Sequence, residues 1–176
     1  VGSYWHKEHA GTIGDIGCFS FQGAKILAIG EGGMLVTDNE KLYKEARLLA
    51  DMYTTKEFWQ TKMGYMYEMN NISAAVGLGQ LEHIHELLLK KQLIYQWYAD
   101  ELTGFYPMNG YLPYTHINYW MTSIITPSQT YRKRLRQYLK LRKIDTRPFF
   151  YPISKFGIYP RRHKTPESYR IGLRGI

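Results

Sequence analysis

Lys25 is the residue whose surroundings best fit an amine nucleophile. It lies in the stretch Gly11 to Asp38, between the β-rich runs IGCFSF and GMLVT. Every residue from Ile16 to Ile29 except Lys25 is uncharged, and glycines lie on both sides of the lysine. An amine held in an uncharged pocket loses part of the hydration that stabilises its ammonium form, which favours the free amine. A free lysine amine can form a Schiff base with a carbonyl compound.

Local sequence leaves a second interpretation of Lys25 open, because most lysines are solvated. On that interpretation the methylene stem packs on a loop while the ammonium stays in water. A similar choice arises at His6 and His9, whose spacing suits either a metal pair or a surface loop. The polar, glycine-rich residues around the two histidines favour the loop.

Several segments, in order along the chain, resemble the DegT/DnrJ/EryC1/StrS sugar aminotransferases. They are FSFQGAK followed by GEGGMLVT, then MGYMYEMNNISAAVGLGQLE, HINYWMTSIIT, KIDTRPFFYP and the final RGI. The resemblance extends from Gly2 to Ile176, and several blocks in one order are more specific than a lysine motif alone. It implies an α/β protein of the pyridoxal 5'-phosphate (PLP)-dependent transferase fold type I.

The resemblance also implies that this sequence is a portion of a longer chain. Residues 1–100 would form the C-terminal part of the PLP-binding large domain with a long interdomain helix. Residues 101–176 would form the small α+β C-terminal domain, truncated at its end. The acidic residue that pairs with the pyridine nitrogen in the family would precede Val1.

Roles for two residues follow from the same resemblance. Lys25 would be the catalytic residue and hold the PLP cofactor, and Ser20, five residues earlier, would contact the cofactor phosphate. An amino group would pass from glutamate to a ketosugar nucleotide, with Lys25 moving the protons. The forms NYWMTSIIT, DTRPFFYP and RGI are most similar to the branch that aminates GDP-4-keto-6-deoxymannose. The family further implies a homodimer in which residues 52–69 reach into the neighbouring subunit's site. The single cysteine fits a protein of the reducing cytoplasm.

Two more residues are candidates for substrate binding. Arg147, in the sequence DTRP, could bind a diphosphate bidentately, as arginines do, or pair with Asp145 instead. Tyr119, with Trp120, could line the sugar or base pocket, although at least one of these two side chains fits the core as well. No pattern predicts a metal site.

Three positions depart from the family pattern. Met66 replaces an asparagine that reaches the partner subunit's phosphate, and a thioether cannot donate to phosphate. Glu68 replaces an arginine implicated in holding the donor carboxylate, which reverses the local charge. Ser154 stands where the branch commonly has a histidine. Two alternatives therefore stay open: the same reaction on a UDP- or dTDP-linked ketosugar, or a non-catalytic paralogue that serves as a structural partner subunit.

Composition favours a globular protein, with 44% apolar and 22% charged residues. Much of the net charge of +8 is concentrated at residues 132–143 and 161–164. The first cluster resembles the solvated face of a helix, and no zinc-finger spacing or RNA-binding aromatic motif accompanies it, so we do not expect nucleic acid to bind. Cys18 has no partner for a disulfide in this sequence, and no apolar run approaches the about 20 residues that cross a bilayer.

Periodicity predicts the elements that position these residues. We expect a buried strand at IGCFSF, a second strand at GMLVT, a helix over 39–51 capped by Asp38, and one long helix from Asn70 or Asn71 to about Leu102. Residues 1–14 and 52–69 are predicted to be irregular. Strands at 119–126 and 144–151 should flank a basic helix from Pro127 to Arg142, with Tyr131, Leu135, Tyr138 and Leu139 inside. The residues from Pro152 onward are predicted to be loop.

Overall fold

A computed structural model describes residues 1–159 and 164–176. Arg161, Arg162 and His163 of the second basic cluster lie outside the described residues. The chain forms two compact units. The first contains residues 1–93 and 111–120, and the second contains residues 94–110 and 121–176. Their assignment to a large and a small domain, with a boundary near residue 100, stays a prediction.

Short strands and five α-helices make up the described elements. In chain order they are β1 (Tyr4–Trp5), β2 (Glu8–His9), β3 (Gly17–Ser20), β4 (Gly33–Val36), α1 (Glu40–Ala50), α2 (Asn71–Glu82), α3 (Ile84–Leu102), β5 (Thr115–His116), α4 (Gln129–Leu141) and α5 (Pro166–Arg174), with 3-10 turns at Lys56–Phe58 and Ile153–Lys155.

The first unit contains two small antiparallel sheets. One has the strand order β2-β1-β5, so the expectation of an irregular segment at 1–14 is wrong. The other pairs β3 with β4, with Gly17 opposite Val36 and Ser20 opposite Gly33. This pairing confirms the predicted strands IGCFSF and GMLVT, although Cys18 and Ser20 are exposed rather than buried.

Asparagine side chains cap the N-termini of two helices. Asn39, not the predicted Asp38, caps α1 by accepting from the amides of Lys41 and Leu42. Asn70 caps α2 by accepting from the amide of Ser73 at 2.8 Å. The prediction of one continuous helix from here to Leu102 is wrong, because His83 leaves helical geometry at φ −103° and ψ 10° and separates α2 from α3.

The second unit differs more from the sequence-based expectation. Residues 119–126 and 144–151 are not strands: the first segment contributes only isolated bridges, Ile124 with Met108 and Ile125 with Gly175, and the second contributes none. The basic helix is confirmed as α4, with Ser128 as its cap. Helix α5 lies where loop was expected. Carbonyls at and just after its end accept hydrogen bonds from the amides of Ile124 and Thr126.

Thr126 joins the start of α4 to the end of α5. It is fully buried, and its hydroxyl donates to the carbonyls of Arg174 at 2.7 Å and of Ser128 at 3.1 Å. In return, the Arg174 Nε donates to the Thr126 carbonyl at 2.7 Å. The Arg174 carbonyl also accepts from the Thr126 amide at 3.0 Å, and the Ser128 carbonyl from the Arg132 amide at 2.9 Å, so the hydroxyl adds to backbone bonds at the two helix ends.

Arg132 corrects the expectation that the cluster at 132–143 is uniformly solvated. Arg132 is only 3% exposed, and its Nη1 donates to the Gly172 carbonyl at 3.0 Å. A hydrogen bond from Arg132 and its positive charge lower the pKa of the Tyr151 hydroxyl. Among the described residues its Nε has no hydrogen-bond partner. Tyr131 and Tyr138, which were expected inside, are exposed.

We expect Asn70→Ala to lower the free energy of unfolding by about 1 kcal/mol, because the Ser73 amide loses its capping oxygen. Asn71→Ala is the matched control, since Asn71 is the first residue of α2 and not its cap. Urea unfolding of both variants measures the difference. Equal losses at positions 70 and 71 would contradict the capping role.

Candidate functional site

Residues 21–32 form a closed connection between β3 and β4. The Phe21 amide donates to the Gly32 carbonyl at 2.9 Å, and the Ile29 amide donates to the Phe21 carbonyl at 2.8 Å. Nearer the tip, the Gly23 amide donates to the Gly30 carbonyl at 2.6 Å. Gly30 has φ +88°, a left-handed conformation that favours glycine. The connection is therefore held by its own backbone.

An apolar cluster lies beneath this connection. Phe21, Leu27 and Ile29 are buried, and Val1 and Ile84 pack against them. Burial of apolar surface stabilises such a cluster by about 25 cal/mol per Å². Because Phe21 and Leu27 on either side of Lys25 are anchored, the lysine backbone has a defined place.

Lys25 is half-buried at the tip of the connection. Its amide donates to the Gln22 carbonyl at 2.8 Å, and the Gln22 side chain accepts from the Ala24 amide at 2.9 Å. Its Nζ lies 3.5 Å from the centroid of the Trp120 ring. Among residues 1–159 and 164–176, no carboxylate forms an ion pair with this amine.

Ser20 lies on the same hairpin as Lys25. It is the last residue of β3, it is exposed, and its Oγ accepts weakly from the Gln22 amide at 3.4 Å. Its hydroxyl hydrogen is free to donate elsewhere. The fold therefore presents a hydroxyl at the end of β3 and an amine from the connection that follows it. The role of Ser20 at a cofactor phosphate stays a prediction.

The segment 118–120 approaches the lysine connection from elsewhere in the first unit. The Trp120 Nε1 donates to the Ala24 carbonyl at 2.6 Å. Tyr119 is half-buried and has φ 49°, a conformation uncommon for a non-glycine residue. The sequence places Trp120 in a pocket or a core but does not predict its contacts with the lysine connection, because no local pattern reports a bond such as that from Trp120 to Ala24, 96 residues away.

Arg147 belongs to the second unit and is exposed. No ion pair joins it to Asp145 within the described parts of the chain, and the Asp145 Oδ1 instead accepts from the Thr146 amide at 2.9 Å. The alternative in which Asp145 occupies the guanidinium is thus not what the structure shows. A substrate role for Arg147 stays a prediction.

The departures Glu68 and Ser154 both have protein partners. The Glu68 Oε1 accepts from Arg47 Nη2 on α1 at 2.8 Å. Its negative charge is therefore locally compensated. Ser154 shares a hydrogen bond with the Thr165 hydroxyl at 3.0 Å, whereas Met66 is exposed.

Residues 52–69 are anchored at their base and expose their tip. Amides of Tyr65 and Tyr67 donate to carbonyls near the end of α1, at 2.8 and 2.9 Å. Tyr53 is buried, and its hydroxyl donates to Glu45; this bond, with burial and the carboxylate charge, raises the pKa of Tyr53. At the tip, Phe58 is 92% exposed and Trp59 is also exposed. Apolar side chains presented in this way are typical of contact surfaces.

The histidines near the start lie in aromatic contacts. His6 stacks on Tyr114 with ring centroids 4.4 Å apart, and His9 packs edge-on against Tyr4. Within the described residues, no three or more side chains of the metal-ligating types lie together. In the same part of the chain, no helix combines the length and apolar character that a bilayer crossing needs.

Comparison with known proteins gives consistent matches. The sequence profile of the DegT/DnrJ/EryC1/StrS aminotransferase family matches residues 1–171. The GDP-perosamine synthase of Escherichia coli O157:H7 is 35% identical over 99% of this chain and 49% of its own. That of Vibrio cholerae is 34% identical over 90% of this chain and 45% of its own. The chain spans about half the length of the curated relatives it matches.

Solved structures show the same fold. The aminotransferase TlmJ from Streptoalloteichus hindustanus superposes with a TM-score of 0.91 at 25% identity, over 98% of this chain and 48% of its own. A PLP form of the sugar aminotransferase Spr1654 from Streptococcus pneumoniae superposes with a TM-score of 0.90 at 22% identity, over 99% and 48% of the two chains. These likenesses confirm the predicted α/β fold type I, present here in part.

We expect the Arg47–Glu68 pair to be weakly coupled, because both side chains are partly exposed. A double-mutant cycle of Arg47→Ala, Glu68→Ala and the double variant should give a coupling free energy of about 0.5 kcal/mol. Raising the salt concentration should reduce this value. A coupling of zero at low salt would show that Glu68 is not compensated by Arg47.

Proposed function

Because the chain belongs to the DegT/DnrJ/EryC1/StrS aminotransferase family, we propose that the complete protein is a PLP-dependent nucleotide-sugar aminotransferase. It transfers an amino group from glutamate to the keto group of a 4-keto-6-deoxy sugar nucleotide. The observation that carries the proposal is Lys25, whose amine lies at the tip of a closed connection without an acidic partner in the described residues.

Two residues of the β3–β4 hairpin have side chains whose chemistry fits PLP. Lys25 offers the primary amine that binds the cofactor aldehyde, and Ser20 offers an exposed hydroxyl for its phosphate. Lys25 does not line either of the two grooves described in the first and second units, of about 540 and 290 Å³. On our proposal, residues of the complete protein beyond this chain supply the remaining walls of the cofactor site.

In the proposed mechanism, Lys25 has two tasks. It would hold the cofactor through its amine, and when unlinked it would act as general base and acid, taking a proton from the amino donor and giving it back. Bound PLP would supply the electron sink for this chemistry. Ser20 would hold the cofactor by donating from its hydroxyl to the phosphate.

For the acceptor we propose GDP-4-keto-6-deoxymannose. The support is the similarity to two GDP-perosamine synthases over most of this chain. Arg147, exposed and without an acidic partner in the described residues, would bind the diphosphate through its planar fork. Tyr119 would contact the sugar or base. The same chemistry on a UDP- or dTDP-linked ketosugar is the alternative, since the relatives at 35% and 34% identity leave room for another nucleotide.

We further propose a cytoplasmic homodimer in which residues 52–69 enter the partner's site. The exposed Phe58 and Trp59 support a contact role for the tip of this segment. The ion pair with Arg47 means that Glu68 would present a compensated charge to an incoming glutamate, rather than a bare carboxylate. Donor binding then needs a cation from another part of the protein.

A non-catalytic structural subunit is the second candidate function. Met66 favours it, because this exposed thioether cannot replace an amide that donates to phosphate. Lys25 and Ser20 argue against it, since a subunit without catalysis does not need this pair.

Lys25→Ala should abolish cofactor attachment. The complete wild-type protein should turn yellow with PLP, and borohydride should fix the cofactor to the peptide that contains Lys25. Lys41→Ala, which removes an exposed lysine on α1, is the control and should retain the adduct. If the wild type traps no cofactor, the enzymatic proposal is wrong and the structural subunit is favoured.

Arg147→Lys should raise KM for the sugar nucleotide about tenfold with little change in kcat, because lysine keeps the charge but loses the bidentate geometry. The control is Arg134→Lys, which changes an exposed arginine of α4. Steady-state assays with GDP-, UDP- and dTDP-linked ketosugars measure both the effect and the preferred nucleotide. An unchanged KM for the preferred substrate would remove Arg147 from the site.

A further inference from the structure

Trp120 contacts the lysine connection through both of its chemical features. Its indole N–H donates to the carbonyl of Ala24, the residue before Lys25, at 2.6 Å. Its ring lies 3.5 Å from the Lys25 Nζ, which is within the range of a cation–π contact. One side chain therefore fixes the lysine backbone and receives the lysine amine.

The backbone that carries Trp120 is itself fixed by Asn118. The Asn118 Oδ1 accepts from the Trp120 amide at 3.0 Å, and its Nδ2 donates to the Val1 carbonyl at 2.8 Å. The Asn118 amide donates to the Ser3 hydroxyl at 3.2 Å. The left-handed Tyr119 between them turns the chain so that the indole faces Ala24. The ring position is thus set by bonds that do not involve Lys25.

We propose that Trp120 is a positioning residue for Lys25. It holds the amine over its ring whenever the lysine is not linked to cofactor, so that the amine stays at the tip of the connection. A lysine side chain has several rotatable bonds, and an unconfined amine would spend most of its time in other rotamers. The inference rests on the proposed function, in which Lys25 must alternate between a linked and an unlinked state.

The two contacts of the indole can be separated by substitution. Trp120→Phe keeps an aromatic face for the amine but loses the donor to Ala24. Trp120→Leu loses both. Asn118→Ala keeps the indole and loosens only the backbone that aims it. Trp97→Leu is the matched control, because Trp97 is exposed on α3 and belongs to the second unit.

The first measurement uses the complete protein without cofactor. Trace acetylation with acetic anhydride, read by mass spectrometry, gives the labelling rate of Lys25 relative to the other lysines of the same sample. We expect Trp120→Leu to raise this ratio about two- to fivefold, the range that corresponds to a lost cation–π contact. Trp120→Phe should restore part of the protection, and Asn118→Ala should give a smaller rise. An unchanged ratio in Trp120→Leu would overturn the proposal.

The second measurement adds PLP and follows the borohydride-reducible adduct on Lys25. Attachment should be about two- to fivefold slower in Trp120→Leu than in the wild type, and unchanged in Trp97→Leu. Attachment as fast as in the wild type, despite faster acetylation, would overturn the positioning role. Failure of the wild type itself to form the adduct would instead contradict the proposed function, and the acetylation ratio would then decide the Trp120 contact on its own. If Trp120→Leu does not fold, the same tests on Trp120→Phe and Asn118→Ala decide.

Discussion

Closure of residues 21–32 is the constraint on which the candidate site depends. If the ends of this loop were free, Lys25 could occupy many positions, and confining it to one of them would cost conformational entropy. The backbone bonds between Phe21 and the residues Ile29 and Gly32 close it. The buried side chains of Phe21, Leu27 and Ile29 then turn one face of the loop towards the interior. Lys25 is left on the tip, half-buried, where an amine can be reached by a ligand and still be oriented by the protein.

The site combines local and distant contributions. Ser20 and Lys25 are close in sequence, and both belong to the β3–β4 hairpin, Ser20 at the end of β3 and Lys25 on the connection. Trp120 comes from a segment that follows β5, so its contact with Lys25 requires the β1–β5 pairing and the bonds of Asn118. Residues 52–69 show the same division, with a base bonded to α1 and a tip that presents Phe58 to its surroundings.

Local signals in the sequence were sufficient for some of the elements. The hairpin follows from two β-rich runs around a glycine-rich turn, and the Asn70 cap follows from a short-range bond to Ser73. Pro166 is a local signal for the start of α5, because proline is favoured in the first turn of a helix. The glycines and prolines around it are typical of a loop, and they outweigh this signal in the sequence. The break at His83 has no strong local signature, since histidine is an ordinary helix residue.

Other features could not be predicted, because the sequence does not show distant partners. Arg132 belongs to a run of cations that is typical of a solvated helix, yet the Gly172 carbonyl 40 residues away draws it into the interior. The segments 119–126 and 144–151 carry strand-like patterns, but neither pairs with a neighbouring strand; the Phe149 amide, for example, donates to the Gly175 carbonyl at 3.0 Å. The contact of Lys25 with Trp120 also joins residues that are far apart in sequence. The local sequence therefore identifies the lysine as a candidate but does not identify the side chain that contacts it.

The buried hydroxyl of Thr126 has a consequence for how this position can diverge among related proteins. Valine matches threonine in shape, but it would remove the hydroxyl that donates to the Arg174 carbonyl and place a methyl group there, so that this carbonyl would keep only the bond from the Thr126 amide. Serine is smaller but keeps the donor. Evolution should therefore exchange threonine for serine here more readily than for its apolar isostere, which means that hydrogen-bonding chemistry rather than side-chain volume governs accepted replacements at this position.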